Sequence, residues 1–392
     1  MLARDDPVAL GGGVTGEIAA KPRASPRVLI LSASIGEGHD LPARELARGL
    51  LELAPAAEIR VMDGLAAMGP VAEGIAMRAA SFETTWGNRL FDLNYWLLAN
   101  FAPTRALTGS IAYALGARRL ARLVEQERPD VVVSTYPGVT EVLGRLRQRG
   151  RVGVPAVSAI TDLAALHYWS HPGIDLHLVT HPESVAEVRS IAPESEVVPV
   201  RGLNSPDFAI PRSQAEARRA LELPAEPKMV VVSGGGWAVG DLEGAVEATL
   251  GVGEALAVVL CGRNEDVRTR MERRYADHPR VRVMGFTDRM ADLLAAADAL
   301  VHSTAGLTVL EAHVSGCPTI SYGWGRAHIR ANNRAFKRFG LAEVAPNRAD
   351  LHAALRRALV RRPARDAIFA ELPTAASLVL GLIARSGKPP RG

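Results

Sequence analysis

Short apolar runs alternate with longer amphipathic stretches along most of this chain. The runs long enough for a buried strand lie in the first half at 27–32, 58–62, 130–134, 154–160, 174–180 and 196–200. Those of the second half lie at 228–233, 256–260, 280–284, 298–302 and 318–321. Most of the stretches between them repeat apolar residues at helical spacing. Strands that alternate with helices in this way predict parallel sheets with helices on both faces.

An irregular segment with two prolines, 202–211, separates the two series and indicates a linker. We therefore predict an α/β protein with two Rossmann-like domains, at 27–203 and 212–363, that face a central cleft. Residues 1–26 lack a continuous apolar run and are predicted to be a disordered lead-in. A mostly apolar helix is predicted at about 364–385 and is a candidate to pack back on the first domain.

The composition is that of a globular chain, with 392 residues, 48% hydrophobic and 22% charged. Its net charge of +4 carries no nucleic-acid signature and suits anionic small molecules or an anionic membrane surface. The two cysteines, Cys261 and Cys317, lie near apolar runs and are predicted to be reduced core residues of a cytosolic protein. No run of 18 apolar residues occurs, so we expect no segment that spans a membrane.

The first predicted strand ends in a glycine loop that leads into a helical pattern. Residues 32–39 read Ser-Ala-Ser-Ile-Gly-Glu-Gly-His, with Gly36 and Gly38 in the loop and His39 at its end. A strand, a glycine loop and a helix N-terminus together favour anions. Because an imidazole transfers protons near neutral pH, His39 is a candidate general base. A plain strand-to-helix turn is the alternative interpretation.

The densest polar pattern of the second domain lies between 283 and 318. A loop that contains Gly306 separates a predicted strand from a helix. Thr304, Thr308 and Glu311 have i, i+4, i+7 spacing, so we expect them on one helix face. The helix N-terminus and the hydroxyls would bind a diphosphate, and Glu311 would accept both hydroxyls of a ribose. The alternative is a capped helix with a buried carboxylate, which would need a partner.

Two further strand ends are expected on the same rim. Gly234 and Gly235 follow the strand at 228–233, where glycines let a ligand approach the backbone closely. Arg263 follows the strand at 256–260, where a cation would meet a phosphate or line a base pocket. A tight turn and a surface arginine are the alternatives.

Together these features resemble the GT-B glycosyltransferases. The most similar branch contains the monogalactosyldiacylglycerol synthases, the processive diacylglycerol glucosyltransferases and the peptidoglycan lipid-intermediate N-acetylglucosaminyltransferase, which are glycosyltransferase family 28 and its relatives. The resemblance covers roughly residues 27–345, and its most specific stretches are Gly-Phe-Thr-Asp-Arg-Met at 285–290 and Gly-Leu-Thr-Val-Leu-Glu-Ala at 306–312. The loop before His39 resembles the acceptor-side loop of the lipid enzymes, and Thr161-Asp162 resembles their Thr-Asp segment.

The resemblance implies a GT-B fold and the transfer of a hexose from a UDP-sugar to a lipid acceptor, diacylglycerol, with inversion. It implies that the backbone beside Phe286 reads uracil, that Gly306, Leu307 and Thr308 hold the diphosphate, and that Glu311 binds the ribose. The full set of expected donor-binding residues is Gly234, Gly235, Arg263, Phe286, Thr304, Gly306, Leu307, Thr308, Glu311 and Asn332.

Two residues are candidates for the base that takes the acceptor proton, His39 and Asp162, both expected after strand ends that face the cleft. We favour His39 because an imidazole titrates nearer pH 7. No Asp-x-Asp motif occurs in the chain, so we expect no metal and no cofactor. The helix N-terminus near Gly306 and Thr308 would stabilise the leaving nucleoside diphosphate instead.

The chain departs from the family pattern at two places that bear on the sugar. The glutamines that often read the donor hydroxyls are absent from 325–333, although Asn332 matches an asparagine of the pattern. The glycine loop after residue 233 continues with the bulky Trp237 and Val239. The identity of the sugar is therefore left open.

Aromatic and basic residues are interleaved at 64–123, with Trp86 and Trp96 among several arginines. This pattern predicts a surface that meets lipid, unless the segment is a helical pair packed on the sheet with snorkelling arginines. Arginines at 326, 330, 334 and 338 form a stripe that would meet phosphate or anionic lipid, or would be a solvated basic face.

We therefore expect a cytoplasmic protein, peripheral on the inner face of the plasma membrane, without a nucleic-acid partner. Two other functions fit the same cleft, a nucleotide-sugar 2-epimerase of this fold and a non-catalytic protein that binds a nucleotide sugar. The aromatic and basic segment argues against the epimerase, which needs no lipid surface. The presence of both His39 and Asp162 argues against the non-catalytic protein.

Overall fold

The computed structural model describes residues 25–35, 37–85, 101–208, 210–304, 306–323, 327–360, 362 and 368–386. The predictions on Gly36, Trp86, Trp96, Arg326 and residues 1–24 lie outside the described residues.

The first six strands form one parallel sheet in the order β2-β1-β3-β4-β5-β6. Their bounds are β1 (Arg27–Ser32), β2 (Glu58–Asp63), β3 (Val131–Ser134), β4 (Ala156–Ile160), β5 (Leu176–Val179) and β6 (Glu196–Pro199). Successive side chains of β1 point to opposite faces. Val28 and Ile30 join the core on one face, and Leu29 and Leu31 join the core on the other. Burial on both faces explains why these strands are continuous apolar runs in the sequence.

Helices cover both faces of this sheet. Their bounds are α1 (Glu37–Leu53), α2 (Gly64–Met68), α3 (Pro70–Thr85), α4 (Ala102–Glu127), α5 (Pro137–Gln148) and α6 (Val185–Ile191). The face with Ile30 packs against Leu46 and Leu50 of α1. The opposite face packs against Leu120 of α4 and Leu143 of α5. None of the helices that the structure describes is both long and apolar enough to cross a membrane.

The second sheet is also parallel, in the order β12-β11-β10-β7-β8-β9. Its strands are β7 (Met229–Ser233), β8 (Leu256–Leu260), β9 (Val281–Met284), β10 (Ala299–His302), β11 (Thr319–Tyr322) and β12 (Glu343–Ala345). Its helices are α7 (Gln214–Ala220), α8 (Leu242–Leu250), α9 (Glu265–Arg274), α10 (Met290–Ala296), α11 (Leu307–Val314), α12 (Ala327–Arg338) and α13 (Arg348–Ala358). The predicted α/β fold with two Rossmann-like sheets is confirmed. Cys261 and Cys317 are both buried and free, as predicted.

The C-terminal segment differs from the single helix predicted at about 364–385. The described part contains two helices, α14 (Ile368–Glu371) and α15 (Ala375–Ser386). Pro373 lies between them, and a proline cannot supply the backbone N–H that a continuous helix requires. Ala376 and Val379 of α15 are buried in the core that contains α1, so the last described helix packs on the first domain.

Candidate active site

Each sheet has one place where the order of its strands reverses along the chain. In the first sheet this switch lies between β1 and β3, and in the second it lies between β7 and β10. Ligands of open parallel sheets bind in the crevice beyond the carboxyl ends of the strands at such a switch. The first turn of α1, which contains His39, follows β1 at the first place, and the loops that contain Gly234–Gly236 and Thr304 follow β7 and β10 at the second.

His39 lies in the first turn of α1 and is half-buried. Its Nδ1 is 3.0 Å from the backbone carbonyl oxygen of Thr135, which follows β3. Because a carbonyl oxygen only accepts hydrogen bonds, Nδ1 carries a proton, and in the neutral ring the lone pair is therefore on Nε2. The Thr135 hydroxyl donates back to the His39 carbonyl oxygen at 3.1 Å. The backbone after β3 thus holds His39 in the tautomer that a base at Nε2 requires.

The two candidate bases meet at one indole ring, that of Trp169. This side chain is buried, and its ring centroid lies 5.7 Å from that of His39. Its Nε1–H donates to Oδ2 of Asp162 at 3.3 Å. The structure therefore brings His39 and Asp162 into one cluster. Trp169 is a functional neighbour that the sequence analysis missed, because no spacing rule predicts its contact with His39.

Asn332, on α12 of the second domain, is buried against the Thr-Asp segment of the first. Its Oδ1 accepts from the backbone N–H of Leu163 at 3.0 Å. Its Nδ2 lies 3.5 Å from Oδ1 of Asp162. The side-chain amide therefore spans the cleft between the two domains. The assignment of Asn332 to donor binding stays a prediction.

Gly306 is the N-cap of α11 and has a φ of 82°, which favours glycine over any residue with a Cβ. A Cβ at this position would lie 3.3 Å from the carbonyl oxygen of Thr161, so the two domains approach closely here. Leu307 is buried in a core that also contains Leu163 of the first domain. Thr308 is half-buried in the first turn of α11. This helix N-terminus therefore faces the segment that contains Asp162.

The prediction that Thr304, Thr308 and Glu311 share one helix face is wrong for Thr304. Helix α11 begins at Leu307, so Thr304 precedes it in the loop after β10. Its backbone N–H lies 3.4 Å from Nδ1 of the buried His302. A Cβ at Gly235 would lie 2.8 Å from the Thr304 methyl group, so Thr304 borders the crevice between β7 and β10.

Glu311 is buried in the second turn of α11, with 5% of its surface exposed. Burial raises the pKa of its carboxyl group to about 8, and the nearby Glu45 carboxylate of α1 adds to the shift. Among the described residues, none donates a hydrogen bond to this carboxyl group. A buried carboxylate needs donors, and a ribose presents two hydroxyls that can supply them.

The loops after β7, β8 and β9 form one continuous rim. The guanidinium of Arg263 lies 3.8 Å from the ring centroid of Phe286, and about half of that ring is exposed. The Arg263 backbone N–H donates to the carbonyl oxygen of Gly236 at 2.8 Å. A Cβ at Gly234 would lie 2.5 Å from the carbonyl carbon of Ala238, so this turn requires glycine. The exposed face of the ring is open to a planar base.

Gly38 was predicted as a site residue and His302 was not, and neither belongs to this rim. Gly38 is exposed in the first turn of α1, and a Cβ there would have no atom within 4 Å, so packing does not require glycine. His302 was not predicted, because a histidine at the end of an apolar run is indistinguishable from a core residue. Burial lowers the pKa of His302 to about 4, so it is neutral and can accept from the Thr304 N–H.

Within the described ranges, no cluster of three or more His, Cys, Asp and Glu residues could hold a metal ion.

Two family models match the chain. Residues 52–204 match monogalactosyldiacylglycerol (MGDG) synthase, and residues 238–360 match glycosyl transferases group 1. The processive diacylglycerol beta-glucosyltransferase of Bacillus subtilis (strain 168) is 23% identical over 322 residues, which are 81% of this chain and 83% of that protein. The enzyme of the same name from Bacillus mycoides (strain KBAB4) is 24% identical over 327 residues, 82% of each chain.

Solved structures show the same fold. The spinosyn rhamnosyltransferase SpnG superposes with a TM-score of 0.59 and 16% identity, and the match covers 91% of this chain and 99% of that one. MurG of Acinetobacter baumannii superposes with a TM-score of 0.53 and 16% identity over 92% and 99% of the two chains. The family matches, one in each half, and the two relatives support a GT-B glycosyltransferase of the monogalactosyldiacylglycerol synthase and diacylglycerol glucosyltransferase type, and the solved structures show its fold.

Proposed function

We propose that the protein transfers a hexose from a UDP-sugar to a lipid acceptor, diacylglycerol, at a membrane surface. The observation that carries the proposal is the convergence of two sets of residues on one cleft. His39, Trp169 and Asp162 form the first set, and the N-terminus of α11 with Glu311 forms the second. The names of the relatives, which specify diacylglycerol as the acceptor, support the lipid assignment.

The donor would bind along the rim of the second sheet. Uracil would stack near Phe286 beside Arg263, the ribose hydroxyls would donate to Glu311, and the diphosphate would lie at Gly306 and Thr308. Each group matches its neighbour in chemistry, because a base has an aromatic face, a ribose has hydroxyl donors and a diphosphate is an anion. A structure of SpnG complexed with thymidine diphosphate supports a nucleoside diphosphate as the ligand of this fold.

The reaction would be one displacement at the anomeric carbon. Nε2 of His39 takes the proton of the acceptor hydroxyl, and the hydroxyl oxygen forms a bond to that carbon from the face opposite the diphosphate. The bond from the carbon to the diphosphate oxygen breaks, and its electron pair leaves with UDP. The free amides of α11 and the Thr308 hydroxyl would stabilise the charge of the leaving group. The proposal needs no divalent cation, so transfer should survive an excess of EDTA.

The test is incubation of the purified protein with a panel of radiolabelled UDP-hexoses and vesicles that contain diacylglycerol. Radiolabel in the lipid extract would support the proposal. Conversion of the sugar nucleotide to an isomer would favour the 2-epimerase. Nucleotide binding without either product would favour a binding protein. Boiled protein and vesicles without diacylglycerol are the controls.

A further inference from the structure

We infer that Asn332 is a positioning residue that couples closure of the two domains to the orientation of Asp162. The inference rests on the proposed function, in which Asp162 lies beside the acceptor and the reacting carbon. It assigns the Asn332 amide to a contact between the domains, whereas the sequence pattern assigns it to the donor sugar.

The orientation of the Asn332 amide follows from its neighbours. The Leu163 backbone N–H can only donate, so the amide oxygen must face it, at 3.0 Å. The amide nitrogen then faces Oδ1 of Asp162, at 3.5 Å. Asn332 is 1% exposed, so water competes little for either group. Both ends of one side chain are thus directed at consecutive residues of the opposite domain.

Asp162 is held from both domains at once. Trp169, from its own domain, donates to Oδ2, and Asn332, from the other domain, faces Oδ1. If the domains separate, the first contact remains and the second is lost. The carboxylate is therefore fixed in one orientation only when the cleft is closed.

The same closure positions the donor helix. Phe336 of α12 and Leu310 of α11 are buried in one core with Leu163. The helix that contains Asn332 and the helix that contains Glu311 therefore approach the Thr-Asp segment as one body. A donor that draws α11 toward the first domain would bring Asn332 to Asp162 in the same movement, so donor binding would arrange the acceptor side.

Asn333 offers a matched control. It is the next residue of α12 and is equally buried, at 1% exposed. Its Oδ1 accepts from the Ser321 hydroxyl at 2.6 Å, and its Nδ2 donates to the Gly323 carbonyl oxygen at 3.3 Å. These partners belong to the second domain. An alanine here removes two hydrogen bonds of a buried amide within the second domain and leaves Asp162 and Leu163 with their partners.

The experiment compares Asn332→Ala with Asn333→Ala for steady-state kinetics, UDP affinity and hydrogen exchange at the Leu163 amide. We expect Asn332→Ala to lower kcat by about 10- to 100-fold, with KM for the UDP-sugar and Kd for UDP within about threefold of wild type. The Leu163 amide should exchange about tenfold faster or more, because its acceptor is gone. Asn333→Ala should lower the thermal midpoint but leave the Leu163 exchange rate unchanged.

A double variant adds a rescue. Asn332→Asp alone sets a carboxylate against Asp162, which should oppose closure. Adding Asp162→Asn restores a donor and an acceptor with their polarity reversed, so protection of the Leu163 amide should return. A raised KM with unchanged kcat and normal Leu163 exchange in Asn332→Ala would overturn the inference in favour of a donor contact. If wild-type protein transfers no sugar, the proposed function fails, and Leu163 exchange alone decides whether Asn332 holds the closed form.

Discussion

Glu311 is a buried acid whose charge depends on what binds beside it. In the free protein, burial keeps its pKa at about 8, so the group is protonated at neutral pH. Hydroxyl donors favour the ionised form and lower the pKa in a complex. Binding of a ribose at this position, as proposed, would therefore release a proton from Glu311.

The first prediction is that UDP affinity rises with pH. Between pH 7 and pH 8 the free protein must lose a proton to bind, so Kd should fall by up to about tenfold per pH unit and should level off above the pKa. Isothermal titration calorimetry in buffers of different ionisation enthalpy measures both Kd and the proton released. Glu311→Gln should remove the pH dependence, and Glu311→Ala should weaken binding by roughly 1.5–3 kcal/mol. A pH-independent Kd in wild type would separate Glu311 from the ribose.

The second prediction concerns the base. His39→Ala should lower kcat by roughly 100-fold or more, because general-base catalysis is lost. Kd for UDP should stay near wild type, since the donor would contact the other domain. His167→Ala is the matched control, an exposed histidine in the 3-10 turn Leu166–Tyr168 that follows β4. Retained turnover in His39→Ala with loss in Asp162→Asn would transfer the role of base to Asp162.

At the scale of elements, one arginine fixes two helix ends. Arg362 donates to the carbonyl oxygens of Leu294, Ala295 and Ala297 at the end of α10. It also donates to those of Ser315 and Gly316 at the end of α11. The last carbonyls of a helix have no partner in the helix itself, and a cation there also offsets the negative end of the dipole. Arg362 thereby fixes the C-terminus of the helix whose N-terminus would bind the diphosphate.

The third prediction follows. Arg362→Ala should lower the free energy of unfolding by about 3 kcal/mol or more, because several carbonyl groups lose a charged donor. Urea denaturation measures this change. Arg357→Ala removes an exposed ion pair with Glu343 that solvent screens, so it should lower the free energy of unfolding far less. An equal loss of unfolding free energy in the two variants would show that the Arg362 contacts stabilise the protein no more than those of an exposed surface arginine.

The elements that could be predicted from the sequence are those with a local signal. β1 and β7 are runs of branched apolar residues because both faces of a parallel strand are buried. β12 was missed because Glu343–Ala345 is too short to show a pattern. The prediction that Thr304 lies on α11 was wrong because the helix begins only after Gly306, which has a φ of 82°. The contact of Asn332 with Leu163 joins residues 169 positions apart, and local spacing carries no information about it.

At the scale of the whole molecule, the two domains are joined by two neighbouring chain crossings. Arg201, before the predicted linker, donates its backbone N–H to the Pro373 carbonyl oxygen at 3.0 Å. Its own carbonyl oxygen accepts from the Ala375 N–H at 2.9 Å. The chain segments before the predicted linker and before the last helix are thus paired side by side.

Apolar side chains are exposed on two helices of the first domain that pack on each other, α3 and α4. Between 47% and 61% of the surface of each of these residues is accessible. They are Val71, Ile75, Met77, Phe101, Leu107 and Ile111. Arg78 of α3 and Arg118 of α4 are exposed on the same two helices. Apolar side chains beside cations are typical of a surface that binds anionic lipid, and this domain contains the proposed acceptor side.

The fourth prediction is that the protein binds phosphatidylglycerol vesicles reversibly and less strongly as salt is added, because screening shortens the reach of surface charge. Leu107→Ser with Ile111→Ser should lower the pelleted fraction in vesicle sedimentation and leave Kd for UDP unchanged. Val360→Ser is the matched control, since this valine is 82% exposed but lies in the second domain. The enzyme must bind the bilayer to gain access to an acceptor dissolved in it. Transfer to diacylglycerol in vesicles should therefore fall with the pelleted fraction. Equal sedimentation with neutral and anionic vesicles, or none with either at low salt, would assign these side chains to some other surface and would weaken the case for a lipid acceptor.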